Sequence, residues 1–244
     1  MLEEAFEKYV SNYNLENRDI KLKYNHSYRV MKLQEKYAKL LGFSPEDVEL
    51  ARVIGLLHDI GRFEQLRVYN TYNDQKSIDH ADYSCVQLFD NNEIQKFTLR
   101  KDWYPIIKFA IKNHNKRVLR KVKNERAMMH ARLIRDTDKI DILFLLGFLK
   151  ELDVSATDDK VSTRVYNEFM KHKVVGHKCV KNKNDDLVLK YSFVFDAYNN
   201  VCLKELEKNY EYFGKLHEKH KQLHEIYKET IKYIEERLEN EGIR

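Results

Sequence analysis

Apolar residues recur at a helical spacing along most of the chain. Between about Lys23 and Leu41 they return every three or four residues, which predicts a helix that ends before Gly42. The segment Ser44-Pro45-Glu46-Asp47 is typical of a helix start, because serine caps the helix, proline occupies its first position and acids occupy its first turn. A second helix is therefore expected to follow, to include His58 and Asp59 in its last turn and to end near Gly61.

Further helices are expected before residue 150, separated by polar segments. The segment from Phe63 to Ser77 is polar and irregular, so we expect a loop. The predicted helices are His80 to Phe89 with Ser77 as its cap, a helix capped by Asp102 that ends at His114, and a long helix from about Arg126 to Leu149.

The character of the sequence changes after Lys150. Alternating apolar positions within residues 173–197 fit a short β-hairpin with its turn near 182–186, but they equally fit the start of another helix. Residues 201–239 are strongly helical, and their narrow apolar stripe fits packing over the core or a homodimer interface. The pattern as a whole predicts an all-α protein, with one domain over residues 1–150 and a helical extension over 151–244 packed on it.

Composition supports a globular helical protein. Hydrophobic residues make up 43% and charged residues 34% of the 244 positions, whereas seven glycines and two prolines are few for a β-sandwich or barrel. With no apolar run of membrane-spanning length, no signal-like N-terminus and three scattered cysteines (Cys85, Cys179 and Cys202), we expect a cytoplasmic protein with no membrane partner. The net charge of +5 permits an anionic ligand, but interleaved acids give no indication of nucleic-acid binding.

Histidine and aspartate residues fall at the ends or inner faces of the predicted helices. The candidate ligands are His26, His58, Asp59, His80, His114 and Asp138. Such side chains can converge in a helical bundle, and imidazole with carboxylate suits a divalent Mn, Fe, Co, Ni or Zn ion. The set is large enough for one or two ions, which lower the pKa of water and polarise phosphoryl oxygens.

The order and local context of these residues resemble the HD-domain superfamily of metal-dependent phosphohydrolases. The matching contexts are NHSYRV, LLHDIGR, IDHADYS, AIKNHN and RDTDKID. The resemblance covers about Lys21 to Leu149 and implies a helical bundle that hydrolyses phosphomonoesters or phosphodiesters. It implies that His26, His58, Asp59 and Asp138 bind the first metal ion. It also implies that His80 and His114 bind a second ion or contact phosphate, and it makes His58, Asp59, His80 and His114 the candidate catalytic residues.

Basic residues near these ligands are the candidate substrate contacts. Arg62, Lys116, Arg117 and Lys139 could steady the charge of a small phosphorylated substrate, and Asp141 could hold a ligand histidine through its second ring nitrogen. His217, His220 and His224 share a predicted helical face among charged neighbours, so we expect that face to be solvated.

Three functions remain open on the sequence alone. The ligand set favours hydrolysis of a small phosphorylated metabolite or nucleotide. The same ligands also suit a di-iron oxygenase, and a non-catalytic module that binds a nucleotide is the third reading.

Overall fold

The local signals of the sequence produce helices throughout the part of the chain that the structure describes. A computed structural model describes residues 2–147 and 155–240, and within these ranges it contains helices and turns but no β-strand. The all-α prediction is therefore confirmed. No helix in these ranges combines the length and the hydrophobicity of a membrane span.

The described residues group into two units. The first ends at Thr137 and the second begins at Asp138, so the boundary falls inside one long helix. The expected division at residue 150, like the expected helix end at Leu149, lies outside the described residues and stays a prediction.

The first unit is built from helices that bury apolar faces against one another. In chain order they are α1 (Leu2–Val10), α2 (Arg18–Leu40), α3 (Pro45–Leu57), α4 (Gly61–Tyr69), α5 (His80–Cys85), α6 (Tyr104–Asn113) and the start of α7 (Glu125–Gly147). A single π-helical turn, Val86–Asp90, continues α5. Cys85 is buried in α5, and Ser44 caps α3 with Pro45 in its first turn, as the sequence predicts.

Helix α4 is the main departure from the expected pattern of the first unit. The sequence predicts a helix end near Gly61 and a loop from Phe63, yet α3 ends at Leu57 and Gly61 begins a new helix. Phe63 and Leu66 are buried, but fully buried Gln65 lies between them and interrupts the apolar period. Its amide donates hydrogen bonds to the following loop, so a polar residue there is part of the packing.

Two predicted helix caps are also wrong. Asp79, not Ser77, caps α5, and its side chain accepts hydrogen bonds from the backbone of Ala81 and Asp82. Asp102 lies in a short 3₁₀ turn and pairs with Arg100, and α6 begins after that turn.

The second unit is also helical. Its helices after α7 are α8 (Thr163–Phe169), α9 (Lys183–Tyr191), α10 (Asn200–Leu216) and α11 (Lys221–Asn240). The β-hairpin considered for residues 173–197 is wrong, because Asn182 caps α9 and a 3₁₀ turn, Ser192–Asp196, follows it. Leu187, Val188 and Leu189 are all buried, so α9 buries apolar residues on several sides. The alternation of apolar positions in this part of the sequence therefore does not indicate a strand.

The predicted last helix is divided into α10 and α11. His217 lies in the turn between them and is buried, with its Nδ1 2.9 Å from the Tyr191 hydroxyl, so the expectation of a solvated His217 is wrong. Leu216 is exposed and lies outside the apolar stripe. The rest of the predicted stripe is buried on α11: Leu223, Ile226, Thr230, Ile234 and Leu238.

An ion-pair cluster joins the start of α3 to α7. Asp47 Oδ1 lies 2.6 Å from Arg126 Nε and 3.0 Å from His130 Nε2, both on α7. Burial alone raises the pKa of Asp47, but hydrogen bonds from His130, Ser44 and Arg126 outweigh it and lower the pKa to about 2.

Removing the Asp47 charge is expected to cost the full stability contribution above about pH 4 and progressively less between pH 4 and pH 2. A carboxyl group whose pKa is lowered by folding stabilises the protein above its unfolded pKa, and this contribution is lost as the pH falls through the folded value. We expect Asp47→Asn to lower the free energy of unfolding by about 1–2 kcal/mol at pH 6, with the difference narrowing between pH 4 and pH 2. Urea unfolding across this pH range tests the expectation, with Asp90→Asn, at an exposed aspartate, as the control. A difference in the free energy of unfolding between wild type and Asp47→Asn that stays constant with pH would contradict it.

Candidate metal centre

Four histidines of the first unit turn their Nε2 atoms toward one another. His26 lies on α2, His58 follows the last residue of α3, His80 begins α5 and His114 follows the last residue of α6. All four are buried. The Nε2 atoms of His26 and His58 are 3.2 Å apart, and those of His80 and His114 are 3.0 Å apart. The structure therefore brings together four of the six predicted ligands as two close pairs.

Hydrogen bonds on the opposite side of the rings orient the lone pairs of these histidines. The Nδ1 of His58 lies 2.7 Å from the Gly55 carbonyl oxygen, and the Nδ1 of His114 lies 2.7 Å from that of Ile111. A carbonyl oxygen can only accept, so in a neutral ring Nδ1 carries the proton and Nε2 carries a lone pair. Each Nε2 is thus prepared to bind a cation.

His80 is oriented in a different way. Its Nδ1 lies 2.5 Å from Oδ2 of Asp74, in the loop between α4 and α5. Burial, together with the charge of Arg62, lowers the pKa of His80 to about 4, so the ring is neutral near pH 7. The Nε2 atoms of His80 and His114 face each other at 3.0 Å, and two lone pairs at this distance repel unless a cation lies between them.

Asp59 lies between the two histidine pairs and presents one oxygen to each. Its Oδ2 is 3.5 Å from His26 Nε2 and 3.8 Å from His58 Nε2. Its Oδ1 is 3.5 Å from His80 Nε2 and 3.6 Å from His114 Nε2. This is the arrangement that a carboxylate needs in order to bridge two ions.

The electrostatics of Asp59 fit a metal ligand. Burial alone raises its pKa, but the opposing influences, of which the charge of Lys23 is the largest, outweigh burial and hold the pKa well below its usual range. Its Oδ1 is buried and accepts no hydrogen bond from the described residues. A buried carboxylate oxygen without a donor is costly in a protein interior, and a bound cation removes that cost.

The donor atoms therefore fit divalent metal binding. Within the first unit, two groups of side chains have ligand atoms within 4.8 Å of one another, namely His26 with His58 and Asp59, and Asp59 with His80 and His114. Histidine nitrogens with carboxylate oxygens suit the transition metals expected from the sequence and do not select one of them. Asp138, the remaining predicted ligand, is half-buried and begins the second unit, so its role stays a prediction.

The predicted substrate residues have diverse surroundings. Arg62 Nε lies 3.7 Å from Asp59 Oδ1, so this residue adjoins the centre. Lys116 pairs with Asp79 and Asp82, Lys139 pairs with Asp196 inside the second unit, and Arg117 is exposed. A substrate contact for any of the four stays a prediction.

Two residues at the centre are missing from the sequence analysis. Lys23 Nζ lies 2.7 Å from Asp59 Oδ2, and the sequence offers a signal for it, because Lys23 precedes His26 by three residues on the same face of α2. Asp74 orients His80 through Nδ1, whereas the sequence suggested Asp141 for a ligand histidine that it did not specify, and that role of Asp141 stays a prediction. Asp74 begins a short 3₁₀ turn, Asp74–Lys76, in a segment that carries no motif, so no local sequence signal marks it.

Comparison with known proteins agrees with this geometry. A family model described as HD domain matches residues 24–143, a range that contains the four histidines, Asp59 and Asp138. No curated protein and no solved structure matches the chain.

Proposed function

We propose that this chain, whose residues 24–143 match the HD-domain family model, is a divalent-metal-dependent phosphohydrolase whose substrate is a small phosphomonoester. One observation carries the proposal: Asp59 offers one oxygen to each histidine pair, and each oxygen also has a basic side chain beside it. Lys23 lies beside Oδ2 and Arg62 beside Oδ1.

The positions of Lys23 and Arg62 favour an anionic substrate. If divalent ions occupy the two histidine pairs, these basic side chains lie next to further positive charge, which is unfavourable unless an anion joins them. A phosphoryl group with two negative charges supplies that anion, whereas a neutral polyol does not. Among the three functions open from the sequence, this charge balance favours phosphate chemistry.

Tyr72 stabilises the two basic side chains at this position. Its ring lies 5.8 Å from Lys23 Nζ and 5.5 Å from the Arg62 guanidinium carbon, within cation–π range. Its hydroxyl donates to the Asp19 carbonyl oxygen at the start of α2. The loop between α4 and α5 thus carries an aromatic side chain that contacts both proposed phosphate-binding residues.

The proposed roles follow from these contacts. His26, His58 and Asp59 would hold the first ion, with Asp138 as the ligand that the family resemblance adds, and Asp59, His80 and His114 would hold the second. Bound divalent ions supply Lewis acidity, which lowers the pKa of water and polarises a phosphoryl oxygen. Lys23 and Arg62 bind non-reacting phosphoryl oxygens and orient the phosphorus, with charge-assisted hydrogen bonds.

Phosphate release from the metal-loaded chain tests the function. The purified protein is loaded separately with Mn²⁺, Fe²⁺, Co²⁺, Ni²⁺ or Zn²⁺ and assayed with p-nitrophenyl phosphate, bis-p-nitrophenyl phosphate, sugar phosphates and nucleotides. In the same assay, Lys23→Met is expected to lower kcat/KM by about 10–100-fold, which corresponds to a lost hydrogen bond between charged groups. The bound metal should remain, because Lys23 is not a ligand.

The control for Lys23→Met is Lys21→Met, which changes an exposed lysine of the same helix. Equal activity of Lys23→Met and wild type would remove Lys23 from the substrate site. Dioxygen uptake without phosphate release would favour the di-iron oxygenase. Thermal stabilisation by a nucleotide without any product would favour the non-catalytic module.

A further inference from the structure

The four histidines of the centre differ in how their rings are held. His58 and His114 each follow the last residue of a helix, and each bonds through Nδ1 to the carbonyl oxygen three residues earlier. These contacts form whenever α3 and α6 form. His80 is the first residue of α5, so no helical carbonyl precedes it in the chain, and its ring needs an acceptor from elsewhere.

Asp74 supplies that acceptor from the loop between α4 and α5. We infer that Asp74 is a positioning residue for His80 and determines whether the centre holds a second metal ion. The inference rests on the two-ion centre of the proposed function and concerns only its second site. The first site, at His26 and His58, has no contact with Asp74 among the described hydrogen bonds.

The loop holds the Asp74 carboxylate in one orientation. Its Oδ1 accepts hydrogen bonds from Arg62 Nη1 at 2.8 Å and from Gln65 Nε2 at 3.0 Å, which leaves Oδ2 directed at His80. Gln65 is fully buried and also donates to Ser77 and to the Ile78 carbonyl oxygen. Helix α4 therefore fixes the loop, the loop fixes Asp74, and Asp74 fixes the ring of His80.

Both oxygens of Asp74 must accept, and only a carboxylate can do that. Arg62 and Gln65 donate to one oxygen, while His80 Nδ1 must donate to the other if its Nε2 is to keep a lone pair. An asparagine has a single acceptor oxygen, so in either orientation its NH₂ group faces a donor. In Asp74→Asn the His80 ring is therefore expected to rotate away or to adopt the tautomer that cannot bind metal through Nε2.

A carboxylate partner on the second nitrogen also makes a histidine a stronger ligand. Loss of such a partner typically lowers metal affinity by about 10–100-fold. We therefore expect Asp74→Asn to weaken binding of one ion by this factor and to leave the other ion unchanged. At a free metal concentration that gives two ions per wild-type chain, the variant should hold one.

Metal stoichiometry and the Co²⁺ absorption spectrum test this without reference to turnover. The full chain is titrated with Co²⁺, and bound metal is counted by plasma mass spectrometry. Wild type is expected to bind two ions, and Asp74→Asn is expected to lose the part of the visible spectrum that belongs to the second ion. The control is Asp82→Asn, which also removes one negative charge near the centre. Asp82 lies on α5 and contacts Lys112 and Lys116 but not His80, so this variant should keep both ions.

A double variant with His80→Ala distinguishes a local effect of Asp74→Asn from a general folding defect. His80→Ala is expected to bind one ion, and adding Asp74→Asn to it should change neither stoichiometry nor affinity. A further loss of metal in the double variant would overturn the inference, as would two tightly bound ions in Asp74→Asn. A single ion in wild type would also overturn it, whereas absence of phosphate release from a two-ion protein would overturn only the proposed function.

Discussion

Asp59→Asn is expected to empty the metal centre and to lower kcat/KM by a thousandfold or more. Each Asp59 oxygen faces a different histidine pair, so one substitution affects both ion sites. An amide has no negative charge and presents an NH₂ donor to one of the pairs. Metal-ion catalysis contributes several kcal/mol to transition-state stabilisation, and about 4 kcal/mol corresponds to three orders of magnitude in rate.

Elemental analysis beside phosphate release distinguishes this role from a structural one. Asparagine has the shape of aspartate, so circular dichroism and gel filtration should show a folded protein. The matched control is Asp19→Asn, an exposed aspartate on α2, which should keep its metal and its activity. The expectation would be wrong if folded Asp59→Asn retained a full complement of metal.

The sequence identifies most of the centre because its ligands are tied to the ends of helices. His58 and His114 each follow an apolar helix and His80 begins one, so helical periodicity places them at helix ends, and the resemblance to the HD-domain superfamily indicates them as ligands. The four histidines and Asp59 then converge as the apolar faces pack. The pairing of the histidines is beyond the sequence, because it depends on how the helices cross.

Residues that act across irregular segments escape the sequence analysis. Asp74 contacts His80 from the segment between α4 and α5, and the orientation of that segment depends on Gln65. Gln65 is a buried polar residue that interrupts the apolar period of α4, so the sequence analysis did not predict this helix. Helical periodicity assumes that buried residues are apolar, so it fails where a buried amide replaces an apolar contact. The sequence analysis also misses Asp79 as the cap of α5. Ser77 is an equally suitable capping residue, and only the positions of the backbone N–H groups at the start of the helix decide between the two.

In the second unit, two predictions from the sequence pattern failed for another reason. In α9 apolar residues occupy the adjacent positions 187–189, all of them buried, and such a run does not distinguish a period of two from a period of 3.6. His217 was expected in water because its neighbours in sequence are charged, yet its ring bonds to buried Tyr191. Contacts between residues distant in sequence decide both cases.

The close approach of α2 and α3 gives the second large expected effect, a loss of stability in Gly55→Ala. A Cβ atom on Gly55 would lie 2.7 Å from Gln34 Cγ and 2.9 Å from Met31 Cα. The Met31 contact is with backbone, and Gln34 is fully buried and donates to Thr137 Oγ1 at 2.6 Å, so neither neighbour can yield easily. The helices must therefore separate.

This separation is expected to reach the metal centre. The Gly55 carbonyl oxygen accepts from His58 Nδ1, and His58 faces His26 of α2 at 3.2 Å. Overpacking costs about 1–3 kcal/mol, while the better helix propensity of alanine recovers at most about 1 kcal/mol. We expect a net loss of about 1–2 kcal/mol in the metal-free protein, together with weaker binding of the first ion.

Urea unfolding of the metal-free protein and a Co²⁺ titration measure the two effects of Gly55→Ala separately. The control is Gly42→Asn, at a glycine with a φ of 72° and no neighbouring atom within 4 Å of an added Cβ. Asparagine tolerates this backbone conformation, so a smaller loss of stability and unchanged metal binding are expected. If Gly55→Ala were as stable as wild type and bound Co²⁺ equally well, the spacing of α2 and α3 would not set the distance between His26 and His58.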